Sequence, residues 1–251
     1  MHRFYLSPPE CELHRLALTD REAHHARHVL RVRRGEKVIA LDGAGNEFLC
    51  EVEELSPQNV GLSVMEKNFS PPLPCRITLL QAIPKGKIIE SIIQKATELG
   101  VAHIVPLLSE RVATQLDDES AAAKIEKWRL IAIDAIKQCG LAWLPQVEAP
   151  LTPKEFLARR EQFELPLIAS LQGDRRHPRE YFQTFFADQR RLPQSVCIWV
   201  GPEGDFTPTE MGAIKSAGVL PITLGRLVLR SETAAIYCLS VLNYELQSEY
   251  R

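Results

Sequence analysis

From residue 76 onward the chain alternates short apolar, β-branched segments with amphipathic ones. That pattern admits few folds other than a mainly parallel sheet covered on both faces by helices. Strands are expected at Arg76–Ala82, Val101–Leu108, Leu165–Leu171, Val196–Val200 and Val219–Leu224. Helices are expected at Lys87–Leu99, where isoleucines recur at helical spacing and Gly100 closes the end, at about Ser120–Cys139, at Pro153–Arg160 and at about Ser231–Gln247. Thr207-Pro208-Thr209-Glu210 reads as a capping box with proline at the first helical position.

The alternation starts only after Ser70-Pro71-Pro72-Leu73-Pro74. Three prolines in four positions continue neither a helix nor a central strand, so this segment marks a boundary. Domains are therefore expected at 1–70 and 74–251. The first reads as a small β-rich unit, with strands at Lys37–Asp42, Glu47–Glu54 and Val60–Glu66 separated by turn chemistry. A helix from Asp20 to Arg33, with Asp20 as its cap, is expected ahead of them.

Two strand exits carry glycine turns. Val196–Val200 runs into Gly201-Pro202-Glu203-Gly204-Asp205-Phe206, and Pro221–Leu224 runs into Gly225-Arg226-Leu227-Val228-Leu229-Arg230-Ser231. Strand carboxyl ends are where α/β sheets bind ligands, and glycine lets the backbone approach one closely. Neither turn is a G-x-x-x-x-G-K-[ST] phosphate loop, a G-x-G-x-x-G cofactor fingerprint or a G-x-S-x-G nucleophile elbow.

A net charge of −2 announces no nucleic-acid partner, so any such contact must be local. Between Arg21 and Lys37 six Lys/Arg face two acidic residues. On a continuous helix Arg27, Arg31 and Arg34 would share a face, flanked by His24 and His28 and able to neutralise phosphates. Lys85 and Lys87 add charge where the chain leaves the Arg76–Ala82 strand. A merely solvated face is the plainer reading of such a stripe. Six scattered cysteines form no C-x-x-C pair and no cluster with histidine, so neither zinc nor a disulfide framework is expected. Cys50, Cys197 and Cys238 read as small buried hydrophobes. No signal-peptide pattern and no run of about 18 apolar residues occurs, so the expectation is a cytoplasmic protein that spans no membrane.

The two glycine turns, with Leu229-Arg230-Ser231-Glu232-Thr233-Ala234, resemble the RsmE family of 16S rRNA uracil-N3 methyltransferases in the SPOUT superfamily. Lys85-Gly86-Lys87, Gln94 to Val101, Pro106-Leu107, Ser109-Glu110-Arg111, Trp128-Arg129, Ala132 to Gly140 and His24-His25 with Val29-Leu30-Arg31 and Gly35 extend the resemblance over nearly the whole chain. It implies a PUA-like RNA-binding β-barrel followed by a SPOUT domain with a C-terminal trefoil knot, acting as a homodimer. S-adenosyl-L-methionine would be held by Ala169, Ser170 and Leu171, by Val200, Gly201, Pro202, Glu203 and Gly204, and by Leu224, Gly225, Leu227, Leu229, Ser231 and Thr233. The implied substrate is 16S rRNA or the assembled 30S subunit, with Arg111 among the RNA contacts and no metal required.

Methylating N3 requires loss of an imide proton, and the charge spreads onto O2 and O4. Arg230 suits those oxygens, Ser231 and Thr233 stand beside it as donors, and Glu203 is a candidate acceptor of a proton. Two departures from the family pattern stand out: Asp205 where a second glycine is common, and Leu141 where arginine is common. An RNA-binding assembly factor with little catalysis, and a SPOUT methyltransferase for another RNA or base atom, stay open as alternatives.

Overall fold

The computed structural model describes residues 1–11, 15–111 and 118–247. It divides into two compact units, Met1–Pro72 with Ile133–Leu144, and Leu73–Ala132 with the residues from Pro145 onward.

In the first unit five strands form one sheet in the order β1-β3-β4-β5-β2, with β1 Arg3–Tyr5, β2 Arg15–Thr19, β3 Lys37–Leu41, β4 Asn46–Leu55 and β5 Asn59–Phe69. All neighbours are antiparallel except β1 against β3. Every second residue faces one core, in which Phe4, Leu16, Leu18, Val38, Ala40, Cys50, Val52, Val60 and Leu62 are buried. Two register shifts between β4 and β5 bend the pair, and the sheet curls.

The helix expected from Asp20 to Arg33 is much shorter. Helix α1 covers Asp20–His24, a single π-turn covers His25–Val29, and Arg31 takes a left-handed φ of 55°. Leu30 N bonds His25 O and Val32 N reaches back to Ala26 O, a wide closure that turns Val32 into the core. Asp20 is the first helical residue rather than the cap; that position is Thr19, whose side chain makes no capping bond.

Residues 133–144 join this unit although the sequence boundary lies at the prolines. The buried Lys137 ammonium sits 2.7 Å from Glu22 and 3.0 Å from Asp134, and Arg3 donates to Lys137 O at 3.4 Å. Gly45 has a φ of 95°, and any Cβ there would lie 2.7 Å from the Trp143 ring, which fills that space. Trp143 is thus a packing residue, anchored by its indole N–H on Ser70 O at 2.8 Å.

The second unit holds six parallel strands in the order β11-β9-β10-β6-β7-β8. They are β6 Arg76–Ala82, β7 His103–Leu107, β8 Gln146–Val147, β9 Leu165–Ala169, β10 Ser195–Val200 and β11 Leu220–Ile222. The helices are α2 Ile88–Glu98, α3 Asp118–Cys139, whose residues from Ile133 onward belong to the first unit, α4 Pro153–Ala158, α5 Pro178–Gln189, α6 Pro208–Ser216 and α7 Ser231–Leu246. On one face Leu80, Ile168, Cys197 and Trp199 pack with Phe156 of α4 and Met211 and Ile214 of α6. On the other, Leu167, Ile198 and Ile222 lie beside Pro178 of α5 and Cys238 and Leu242 of α7. Burial of both faces explains why these strands read as near-continuous apolar runs.

Helix α5 escaped the sequence reading because histidine is an uncommon cap. His177 Nδ1 accepts from Arg179 N at 3.2 Å and Glu180 reaches back to His177 N at 3.3 Å. Strand β11 is shorter than the expected Val219–Leu224, because Thr223 Oγ1 bonds the Gly225 N–H at 3.2 Å and diverts the chain. Cys50, Cys197 and Cys238 are buried, and desolvation pushes their thiols up to about 11, 12 and 12, so they are inert at neutral pH.

Candidate functional site

Strands β9, β10 and β11 are adjacent, and their carboxyl ends open into three loops that enclose one cleft of about 510 Å³, open to solvent on one side. The loop after β9 contributes Ala169, Ser170, Leu171 and Arg175; the loop after β10 contributes Val200, Gly201, Pro202, Glu203 and Asp205. From the third side come Leu224, Gly225, Leu227 and Leu229, with Ser231 and Ala234 of α7. Aliphatic side chains dominate the walls. Arg175 is the one cation on them among the described residues, and Glu203 and Asp205 are the carboxylates.

Buried polar groups hold the loops together. Ser231 Oγ donates to Gly201 O at 2.9 Å and accepts from Gln81 Nε2 at 3.0 Å, which ties the start of α7 to the ends of β10 and β6. Asp205 Oδ2 accepts from Leu171 N at 3.1 Å. The buried Glu210 accepts from Glu110 N at 2.9 Å, Ser109 Oγ at 3.1 Å and Thr207 N at 2.9 Å, so the capping box of α6 also anchors the segment after β7. Gln81 was signalled in the sequence by being polar within an apolar strand; its partner across the sheet was not. Arg175 and Ala234 were also missed, being an arginine in an exposed run and an alanine in an apolar helix.

Of the residues expected at a cofactor site, all but two line the cleft. Gly204 lies outside the lining, its carbonyl taken by the Arg111 guanidinium, and Thr233 is exposed on α7. Arg230 caps the approach to α7 and is exposed; its side chain does not line the cleft and has no hydrogen-bond or ion-pair partner among the described residues. Glu203 is exposed on the wall, likewise with no such partner. The Ser231 hydroxyl has a single proton, and that proton is committed to Gly201 O.

In the second unit Lys85 and Lys87 are exposed on the segment between β6 and α2, around Gly86 with its φ of 70°. Arg111 holds the carbonyls of Gly204 and Asp205. In the first unit the His24 and His28 rings lie with centroids 4.8 Å apart and planes tilted by 36°, and Arg27 donates to Pro57 O. Arg31 and Arg34 are exposed but lie beyond the helical turns, so the expected three-arginine helix face does not form. Arg31 itself takes the left-handed φ of 55° that ends the helical turns. Among the described residues no three His, Cys, Asp or Glu side chains are placed to hold a metal ion, and no helix is long and apolar enough to cross a membrane.

A family model described as an RNA methyltransferase domain matches residues 71–243, which include this cleft, and one described as an RNA methyltransferase PUA domain matches residues 18–64. Ribosomal RNA small subunit methyltransferase E of Bacillus subtilis is 32% identical over 92% of this chain and 90% of its own length. The protein of the same name from Synechocystis is 31% identical over 98% of this chain and 78% of its own length. A Legionella pneumophila protein solved with the bound cofactor SAM superposes with a TM-score of 0.87 at 33% identity, covering 97% of both chains. Ribosomal RNA small subunit methyltransferase E of Neisseria gonorrhoeae, bound to S-adenosyl methionine, gives 0.84 at 29% identity over 98% of both. With three strand exits gathered on one cleft inside the matched segment, the chain belongs to the RNA methyltransferase family that includes these ribosomal RNA small subunit methyltransferases E.

Proposed function

We propose that the protein transfers a methyl group from S-adenosyl-L-methionine to N3 of a uracil at one position of 16S rRNA. The observation that carries this reading is the cleft at the ends of β9, β10 and β11, whose chemistry fits that donor. Leu171, Leu224, Leu227 and Leu229 supply apolar surface for a nucleoside. Arg175 would hold the donor's carboxylate, and Glu203 would meet its positive charge. When bound, the donor supplies an electrophilic methyl on a sulfonium, so no metal is called for.

The chain's own residues orient the acceptor. In the transfer the N3–carbon bond forms, the carbon–sulfur bond breaks, and the imide proton leaves to solvent. Arg230, exposed and without a side-chain partner among the described residues, would meet the negative charge building on O2 and O4. The structural commitment of the Ser231 proton removes it from that task and makes it a tie.

RNA capture is assigned to the first unit as a PUA-like barrel over residues 1–70, through His24, Arg27, His28, Arg31 and Arg34, with Lys85 and Lys87 assisting from the methyltransferase domain over 74–251. The second unit is read as a SPOUT domain with a C-terminal trefoil knot, in which Ser231 at the start of α7 is tied to Gly201 O. A homodimer is supported by exposed apolar side chains at Leu227, Val228 and Tyr237, which a second copy would cover. A cytoplasmic location follows from the ribosomal substrate.

The test is incubation with assembled 30S subunits or free 16S rRNA and labelled methyl donor, with the product nucleoside identified by mass spectrometry. N3-methyluridine at one site is the expected product; methylation at another atom, or none with the donor bound, would reject the assignment.

A further inference from the structure

The turn after β10 contains an aspartate where a glycine would serve the backbone better. Asp205 has a φ of 61°, in the left-handed region that glycine enters without steric cost. Its carboxylate is nevertheless buried, with 8% of the residue exposed. Burying a carboxylate is unfavourable unless it is hydrogen-bonded, and both oxygens here are. Oδ1 accepts from Phe206 N at 2.8 Å and Oδ2 accepts from Leu171 N at 3.1 Å. The first bond stays within the turn. The second crosses to another loop, the one leaving β9, and grips the amide of a residue that forms the cleft wall.

The carboxylate is itself located from two directions. Asp205 N closes the turn on Pro202 O at 2.9 Å, and the Arg111 guanidinium reaches from beyond β7 to the carbonyls of Gly204 and Asp205. Gly201 leaves the room it needs: a Cβ at that position would stand 3.2 Å from Asp205 Oδ1. Two adjacent strand exits are therefore joined by one side chain, and the joint lies directly on the cleft.

We propose that Asp205 is a positioning residue for the methyl donor: its carboxylate clamps the Leu171 loop to the Gly201–Phe206 loop and sets the separation of two cleft walls before the donor arrives. The proposal rests on the reading of the cleft as the S-adenosylmethionine site. Its consequence is specific to binding, because a preformed wall spares the donor the cost of ordering a loop.

Asp205→Gly removes the carboxylate and keeps the left-handed turn free of strain; Asp205→Asn keeps one accepting oxygen. In the full-length protein the first should weaken S-adenosylmethionine binding by about tenfold in calorimetry, the size of one lost charge-assisted hydrogen bond. The donor's KM should rise in parallel, with kcat at saturating donor and the KM for RNA within about twofold of wild type. Hydrogen exchange over residues 170–172, measured without ligand, should accelerate. The asparagine variant should fall between the two and carries the test if the glycine variant does not fold. Unchanged donor affinity, a fall in thermal stability alone, or a fall in kcat with KM unchanged would each overturn the proposal. Wild-type protein that binds no donor would instead overturn the functional reading, and exchange at 170–172 would then decide the clamp by itself.

Discussion

Ser231→Ala isolates a buried tie from a chemical role. The hydroxyl, in a residue only 3% exposed, makes two hydrogen bonds, one donated to Gly201 O and one accepted from Gln81 Nε2. Removing it leaves Gly201 O without that donor, while Gln81 Nε2 keeps its bond to Ala82 O at 2.8 Å. An unsatisfied buried acceptor costs about 1–3 kcal/mol, and the partly compensated Gln81 bond adds the low end of the ~0.5–1.5 kcal/mol net value of an ordinary hydrogen bond. A loss of about 2 kcal/mol is therefore expected. In a chain of this size that lowers Tm by roughly 4–8 °C. The assay pairs thermal denaturation with kcat at saturating donor and RNA. Gln81→Leu, alone and combined with Ser231→Ala, should show a coupling of about 1 kcal/mol, because the two side chains share a bond. A Tm within 1 °C of wild type together with a hundredfold fall in kcat would refute the reasoning and return the hydroxyl to the reacting atoms.

Three further outcomes follow from the same geometry. Arg175→Leu should weaken S-adenosylmethionine about 10- to 100-fold, the value of a charge-assisted pair, yet leave binding of the decarboxylated donor unchanged; equal losses for both ligands would place the guanidinium elsewhere. Arg230→Ala should preserve the donor's Kd and lower turnover about a hundredfold, and wild-type rates would remove it from the mechanism. Burial holds the His103 imidazole below its ordinary value of 6.5, against the opposing pull of Glu148 2.7 Å away. The unfolded chain therefore takes up a proton that the folded one resists, and stability present above pH 6.5 is lost as pH falls below it. Denaturant midpoints at pH 7.5 and 5.5 should show that slope, and His103→Gln should flatten it.

What could be read from the sequence was what short-range physics decides. The parallel strands announced themselves because both faces are buried, and β6 appears with the expected bounds. The capping box at Thr207 needs only four residues in a row, and it forms. The glycine turns marked the ends of β10 and β11, and proximity of those ends follows from the sheet. What could not be read was what depends on distant partners. Strands β1 and β2 are short and exist through pairing with β3 and β5. The helix from Asp20 stops early because Val32 is drawn into a core built by other strands. Arg111 resembled an RNA contact until its guanidinium met two carbonyls nearly a hundred residues away. Ser231 resembled a donor to substrate until Gly201 claimed its proton.

The same distinction separates cleft walls held by buried hydrogen bonds from one held mainly at its ends. The walls from β9 and β10 are joined by Asp205, and the wall from β10 is further secured through Glu210 and Ser231. The loop from Leu224 to Arg230 is fastened at its ends, by Thr223 on Gly225 and by Ser231, while its tip carries Leu227 and Val228 at 78% and 74% exposure. Covering one such side chain stabilises a complex by roughly 1.5–3 kcal/mol. That gain is unrealised in the isolated chain and becomes available only when donor, RNA or a second copy covers the tip. Two walls joined by buried hydrogen bonds therefore stand beside a third whose apolar tip is exposed.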